Sequence, residues 1–337
     1  MVEGKTEGII YMKTRFEIAV EEEFVCMLAG VELYDYYSSP VTMIKAQLSA
    51  REVMEKRFGC GRFVHLYPTL SSYAEASALG VDVVFPEGDS LPWPKQQLVL
   101  ETIDDVDSLE IRRNSENNLV EKTIQYYHVM KNFAGGKYDI AIEKCVEGPI
   151  TTAIMLRGQD FFTDIYDDPG KAHKLLSIIT ETSLDIRKQI EEATGQEMTS
   201  TWIYDDYAGM LSPSLYKEFA IPYYKEIYKN YGRYGRVLHS ELLSTEHLQI
   251  SKAELDITYY NPASAQNLDI ESVKQIMGPY FDWQITPEQM AMPKNELIDF
   301  VNNILDKQPP IISIYPYSNT PLENLSAVIE LLKQVNE

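Results

Sequence analysis

The sequence predicts a (β/α)8 TIM barrel with an N-terminal helical extension, and three observations predict it. From about residue 60 onward, short apolar runs alternate with longer stretches whose apolar residues recur at helical spacing. Eight such units fill about 275 residues, the length an eight-stranded parallel barrel requires. The first strand of the series runs into Tyr67-Pro68-Thr69-Leu70, without the glycine-rich phosphate loop of a doubly wound sheet.

In chain order, the strands are expected at 62–67 (RFVHLY), 81–86 (VDVVFP), 138–146 (YDIAIEKCV), 200–205 (STWIYD), 236–240 (RVLHS), 255–260 (LDITYY), 280–285 (YFDWQI) and 310–315 (PIISIY). Helix starts separate them. Ser212-Pro213, Thr286-Pro287 and Thr320-Pro321 each put a hydroxyl at the N-cap and proline at the first helical position, with Gln289 and Glu323 placed for capping boxes. Asp168-Pro169 opens a long helix that runs to about residue 193 by the same logic. Residues 1–60 read as helices packed across the barrel's end or flank and residues 61–337 as the barrel, together one domain without repeats or a Pro/Gly-rich linker.

Composition narrows the function. The 337 residues carry 30 Lys and Arg against 51 Asp and Glu, a net charge of −21, with 45% hydrophobic residues. Such a chain is repelled by phosphate backbones and anionic bilayers, so nucleic-acid and membrane-surface roles are disfavoured. No window reaches the roughly 18 apolar residues of a spanning helix. Cys26, Cys60 and Cys145 form no CxxC pair and are odd in number, which argues for a reducing compartment; a cytoplasmic protein is expected.

In a barrel of this kind, chemistry gathers at the carboxyl ends of the strands. Those ends supply His65 and Tyr67; Glu87; Glu143, Cys145 and Glu147; Asp205 and Asp206; His239 and Glu241; Tyr259, Tyr260 and Asn261; Gln284; and Tyr315. His239 and Glu241, two apart, share a strand face and can converge on a divalent metal or a substrate. One of the adjacent Asp205 and Asp206 must face the mouth. A carboxylate inside the barrel, Glu143 or Glu147, should meet a metal, a base or a polar substrate group, because an unpaired one is costly there. Cys145 reads as a small core residue, and His128, His173 and His247 as surface histidines. Most of the 23 tyrosines should pack with their hydroxyls at the surface; Tyr204, Tyr207 and Tyr260 are placed to wall a pocket.

The segment IYDDYAGMLSPSLYKEFAIPYYKEI (203–227), followed by RVLHSE, resembles the uroporphyrinogen decarboxylase superfamily, which includes corrinoid-dependent methyltransferases. So do VDVVFPEG (81–88), VEGPITTAIMLRGQDFF (146–162) with DIYDDPGKAHKLL, and TPLENLSAVIELLK (320–333). The resemblance covers nearly the whole chain in order and implies a TIM barrel. Decarboxylases of this superfamily begin with an Arg-rich RQAGR-like clamp for a poly-carboxylate substrate, and the first 70 residues contain none. Thiol-methylating members hold zinc with His-x-Cys and a later Cys; here the positions read His239 and Glu241, and the last strand has no cysteine.

A His and carboxylate set makes a harder Lewis acid than thiolates do, suited to oxygen. The resemblance therefore implies a methyltransferase that moves a methyl group from a small-molecule methyl donor, an O-methyl compound such as a phenyl methyl ether, to the Co(I) corrinoid carried by a partner protein. It implies zinc on His239, Glu241 and a further acid, with Glu147 the third ligand carried forward among Asp205, Asp206, Glu143 and Glu147. Asp206 and Asp205 would serve as catalytic acids, and Tyr67, Tyr204, Tyr207, Tyr260 and Asn261 would contact substrate. A tetrapyrrole decarboxylase and a non-catalytic corrinoid-binding barrel are the alternatives.

Overall fold

The computed structural model describes residues 14–70, 72–111, 118–143 and 145–335; residues 1–13 of the expected extension and Lys144 of the expected third strand lie outside them. Parallel strands form two arcs. One is the ladder β4 (Cys145–Glu147), β5 (Ser200–Tyr204), β6 (Gly235–His239) and β7 (Tyr259–Asn261). The other runs β8 (Asp282–Ile285), β9 (Ile311–Ile314) and β1 (Arg15–Ile18). A parallel bridge between Tyr260 and Phe281 joins β7 to the start of the β8 segment. The gap between β1 and β4 is filled by the chain at 64–67: Leu66 O accepts from Ala141 N (2.9 Å), and the Phe63 ring meets Phe16 at 5.9 Å. The result is the (β/α)8 barrel, with helices outside.

Its membership differs from the sequence reading. The expected strand 62–67 opens with a 3-10 turn at Gly61–Phe63, and the described strand near 138–146 is only Cys145–Glu147. The stretch up to residue 60 contains three helices, Glu22–Ala29, Leu33–Ser38 and Pro40–Phe58, and it also supplies β1, which pairs in parallel with β9 across almost the whole chain. The run at 81–86 is not a barrel strand. Only Val83–Val84 (β2) is extended, and it turns back to pair antiparallel with Trp93–Pro94 (β3), a hairpin outside the barrel.

The helix starts follow local chemistry. Ser212 accepts from Leu215 N, Asp168 from Lys171 N at the head of Pro169–Thr194, and Thr286 makes a reciprocal capping box with Gln289. Thr320 departs from this pattern, its hydroxyl accepting from Tyr317 N instead. The core lies between strands and helices, where Ile203, Leu238, Ile312 and Ile314 meet helix residues such as Leu175, Ile179 and Leu325. Buried tyrosines belong to this layer, and several turn their hydroxyls inward, contrary to expectation. Tyr228 OH donates to Val237 O (2.6 Å), Tyr126 OH to Tyr37 O (2.8 Å) and Tyr260 OH to Ser240 O (2.9 Å). These bonds satisfy groups that would otherwise be costly to bury. His247 is buried as well, donating from Nε2 to Leu211 O while Nδ1 accepts from Ser244. Among the described residues, no helix is long and apolar enough to cross a membrane.

Candidate active site

Side chains alternate along each strand, so every second residue faces the barrel axis. Trp202 and Tyr204 on β5, Tyr259 and Asn261 on β7, Asp282 on β8, Ser313 on β9 with Tyr315 just beyond it, and Phe63, His65 and Tyr67 line one axial cavity of about 550 Å3. Tyr67 and Tyr204 stand where they were expected. Tyr260 does not: with Tyr259 and Asn261 facing the axis, Tyr260 must point outward, and it is fully buried against the helical layer. Tyr259 takes the wall position in its place. Tyr207, beyond the strand on a short turn, is partly exposed and holds the rim, its N–H directed at Thr151 Oγ1 (3.3 Å).

The same alternation separates the two aspartates. Asp205 turns away from the axis and is completely buried. Its carboxylate accepts from Ile150 N (3.0 Å), Thr151 N (2.9 Å), Thr151 Oγ1 (2.8 Å) and Tyr224 OH (2.8 Å), gripping the first turn of the helix Pro149–Arg157. Burial lifts its pKa to about 6 despite these donors. Every ordinary acceptor site is occupied, so Asp205 is a structural anchor.

Asp206 faces the mouth. Its Oδ1 accepts from Glu241 N (3.1 Å) and lies 3.6 Å from His239 Nε2. Glu241 thus contributes its backbone amide, while its side chain turns to Ser264 Oγ (3.1 Å). His239 also packs edge-on to Tyr204, with centroids 4.7 Å apart.

Asn261, expected to contact substrate, fixes the histidine tautomer. Its Oδ1 accepts from Ala263 N (3.1 Å), which settles the amide's orientation, and the same oxygen lies 2.7 Å from His239 Nδ1. An oxygen that only accepts must be facing an Nδ1 proton. Nε2 is therefore the open position, turned toward Asp206. Behind Asn261, its Nδ2 donates to Asp282 Oδ2 (2.7 Å), completing a row Asp206, His239, Asn261, Asp282 across three strands.

Glu143, Cys145 and Glu147 share a face, as read from their spacing, and line a small cavity of about 50 Å3 beside Tyr204. Burial, reinforced by Glu75, Asp205, Asp206 and Glu143, raises the Glu147 pKa well above its ordinary value. Burial raises Glu143 to about 7. The nearby cation is Arg187, whose Nη2 meets Glu75 Oε1 at 3.4 Å; burial still outweighs this pair and lifts Glu75. The Cys145 thiol is raised too, chiefly by burial, which removes it as a thiolate nucleophile.

The expected zinc set does not assemble. His239, Glu241 and Glu147 are not brought to one point, and among the described residues no three His, Cys, Asp or Glu side chains converge as a metal site. The reason is local: the Glu241 side chain leaves the strand face once β6 has ended at His239 and turns to Ser264.

A parallel barrel with acid and base groups at its strand ends, over an aromatic cavity, is an enzyme's architecture. The family model for uroporphyrinogen decarboxylase (URO-D) matches residues 18–335, and the chain belongs to that family. It is 22% identical to a uroporphyrinogen decarboxylase of Dictyostelium discoideum over 65% of this chain and 57% of the relative. It is 25% identical to a uroporphyrinogen decarboxylase of Myxococcus xanthus over 53% of this chain and 49% of the relative. The chain thus spans about half the length of the curated relatives it matches. In fold it is similar to a methyltransferase from Methanosarcina mazei, with a TM-score of 0.70, 15% identity, and 96% and 95% of the two chains covered.

Proposed function

We propose that the protein is a methyltransferase that takes a methyl group from a methylated small molecule, an O-methyl compound in the first instance, and passes it to the corrinoid of a partner protein. The observation that carries this reading is the set of proton-handling groups around the mouth. His239 offers Nε2 beside Asp206, and burial shifts the Glu147 carboxyl toward its protonated form. An alkoxide or phenoxide leaves poorly at neutral pH, and an acid placed at the departing oxygen typically speeds such a step by 10²–10⁴-fold. The cavity walls of Tyr67, Tyr204 and Tyr259 suit a flat or apolar donor, which they would hold with its methyl toward the open mouth. The corrinoid, when docked, supplies the nucleophile; this chain orients the donor and manages the proton.

The names of the curated relatives favour a second reading, decarboxylation of a porphyrinogen. The charge of the cavity weighs against it: its wall carries Glu17 and Asp282 against Arg62, while burial raises Glu21 to about 8, so the wall offers no surplus of cations for a poly-anion. The deciding experiment incubates the protein with a reduced corrinoid protein and a panel of methylated phenols, amines and thiols, following the cobalt spectrum. Formation of the methylated corrinoid from an O-methyl donor is the expected result. Release of carbon dioxide from a porphyrinogen, with no demand for corrinoid, would establish the decarboxylase instead.

A further inference from the structure

The deeper part of the axial cavity has a chemistry that proton transfer at His239 does not use. Trp202 lines it, with ring centroids 6.0 Å from Tyr204 and 6.1 Å from Tyr259. The rings are tilted by 39° and 46°, not stacked, so they do not cover one another's faces. Beside them stands Asp282, only 1% exposed yet lining the cavity. Its Oδ2 accepts from Asn261, while Oδ1 makes no hydrogen bond of good geometry, although the Ser313 and Tyr259 hydroxyls face the carboxylate.

A buried carboxylate oxygen that its neighbouring hydroxyls meet only at poor geometry is costly beside a cavity, and an occupant carrying positive charge reduces the cost. Glu17 adds acid to the same wall. Arg62, the cation on the wall, lies over the Phe63 ring at 4.4 Å. Aromatic faces together with a carboxylate are what an organic ammonium group requires: the rings attract its diffuse charge and the acid supplies the counter-charge. A small metal ion would have to give up its hydration shell to reach the rings, and an anion would be repelled.

We infer that the barrel lumen is the seat of a small organic ammonium cation, held by Trp202, Tyr204, Tyr259 and Asp282. Trp202 pairs with Val237 and Tyr204 with His239. The ring of Trp202 is thus set two residues, about 6–7 Å, below the His239 layer. A cation in this seat leaves the rest of its molecule at the mouth. Its role as the substrate's anchor rests on the methyltransferase reading above, which then takes methylated compounds bearing an ammonium group; the binding itself does not depend on that reading.

The test compares choline chloride with its neutral carbon isostere, 3,3-dimethylbutan-1-ol, each titrated into the full chain by calorimetry and tryptophan fluorescence. Choline is expected to bind saturably and at least tenfold more tightly than the isostere. Asp282→Asn, nearly isosteric, and Trp202→Leu should each weaken choline at least tenfold; circular dichroism checks that each variant is folded, and the Asn variant alone suffices if the Leu variant is not. Equal affinity for choline and the isostere, or no choline binding, overturns the assignment. Choline binding without methyl transfer to a reduced corrinoid protein from any methylated phenol, amine or thiol supports the ammonium seat and counts against the transferase reading. Transfer from neutral ethers by a chain that ignores choline does the reverse.

Discussion

At the scale of single residues, adjacent side chains with the same chemistry have opposite jobs. Asp205 and Asp206 differ by one position, hence by one face. Asp205→Asn replaces an acceptor oxygen with an NH2 that must confront donors from Ile150, Thr151 or Tyr224, so it should cost about 1–3 kcal/mol of stability. Asp206→Asn, half exposed at the mouth, should leave the urea midpoint nearly unchanged while lowering turnover. If both variants lose stability alike, the division of labour is wrong. Asn261 offers a related test. Asn261→Ala removes the acceptor that keeps the proton on His239 Nδ1, so nitrogen NMR should show a mixture of tautomers where the parent shows one. Turnover should fall about 10- to 100-fold, as for other residues that orient a functional histidine, with KM little altered. A single unchanged tautomer in the variant would remove Asn261 from this role.

At the scale of elements, strand-to-helix junctions hold the site in place. Gly148, between β4 and the helix Pro149–Arg157, sits so close to Asp205 that a Cβ there would lie 2.1 Å from the aspartate's own Cβ. Gly148→Ala must therefore push the helix off its anchor, and the expected loss is at or above the upper end of the usual overpacking range, about 3 kcal/mol. A denaturation midpoint equal to the parent's would show that the junction yields freely. Such junctions are partly legible in sequence. Ser212, Thr286 and Asp168 announce helix starts because capping is local, a matter of three or four residues. The strands from 200 onward are legible too, since each is a short apolar run bounded by turns. Strand β1 is not: RFEI has two charged residues in four, and its partner Ile311–Ile314 is nearly the whole chain away. Nor is the fate of 81–86, whose Val83 and Val84 suit a hairpin as well as a barrel. In the site, alternation could have chosen Tyr259 over Tyr260 once Asn261 was taken to face inward. Asp282 and Trp202 lie away from the strand ends and escaped a search confined to them. That Asp206 would take the open side of His239 depends on how two loops meet, which spacing alone does not encode.

At the scale of the whole molecule, acid is concentrated inside as well as outside. The net charge of −21 first excludes nucleic acid and membrane surfaces, but several of these carboxyl groups lie around the lumen, and their protonation is tied to folding. Burial raises Glu143 from 4.5 to about 7, and Asp205 and Asp282 from 3.8 to about 6. Glu21, Glu75 and Glu147 move in the same direction, again chiefly through burial. A group with a raised folded pKa holds its proton longer in the folded chain than in the unfolded one. Its full contribution is present below the unfolded value and is lost as pH rises through the folded value. Surface carboxylates act oppositely: hydrogen bonds from Lys217 and Lys225 lower Glu254 to about 2, so its contribution is present above its unfolded value of 4.5 and vanishes as pH falls toward 2. The exposed group is screened and weak, so the buried set dominates the neutral range. Thermal stability should accordingly decline from pH 5 to pH 8, reversing the trend expected of an acidic protein whose carboxylates are all at the surface. Glu143→Gln, which cannot ionise, should flatten the slope mainly between pH 4.5 and 7, the window set by that group's own two values. Midpoints measured at half-unit intervals check both statements. A parent curve that climbs from pH 5 to pH 8 would mean that the lumen carboxyls are already paired with positive charge in the folded protein.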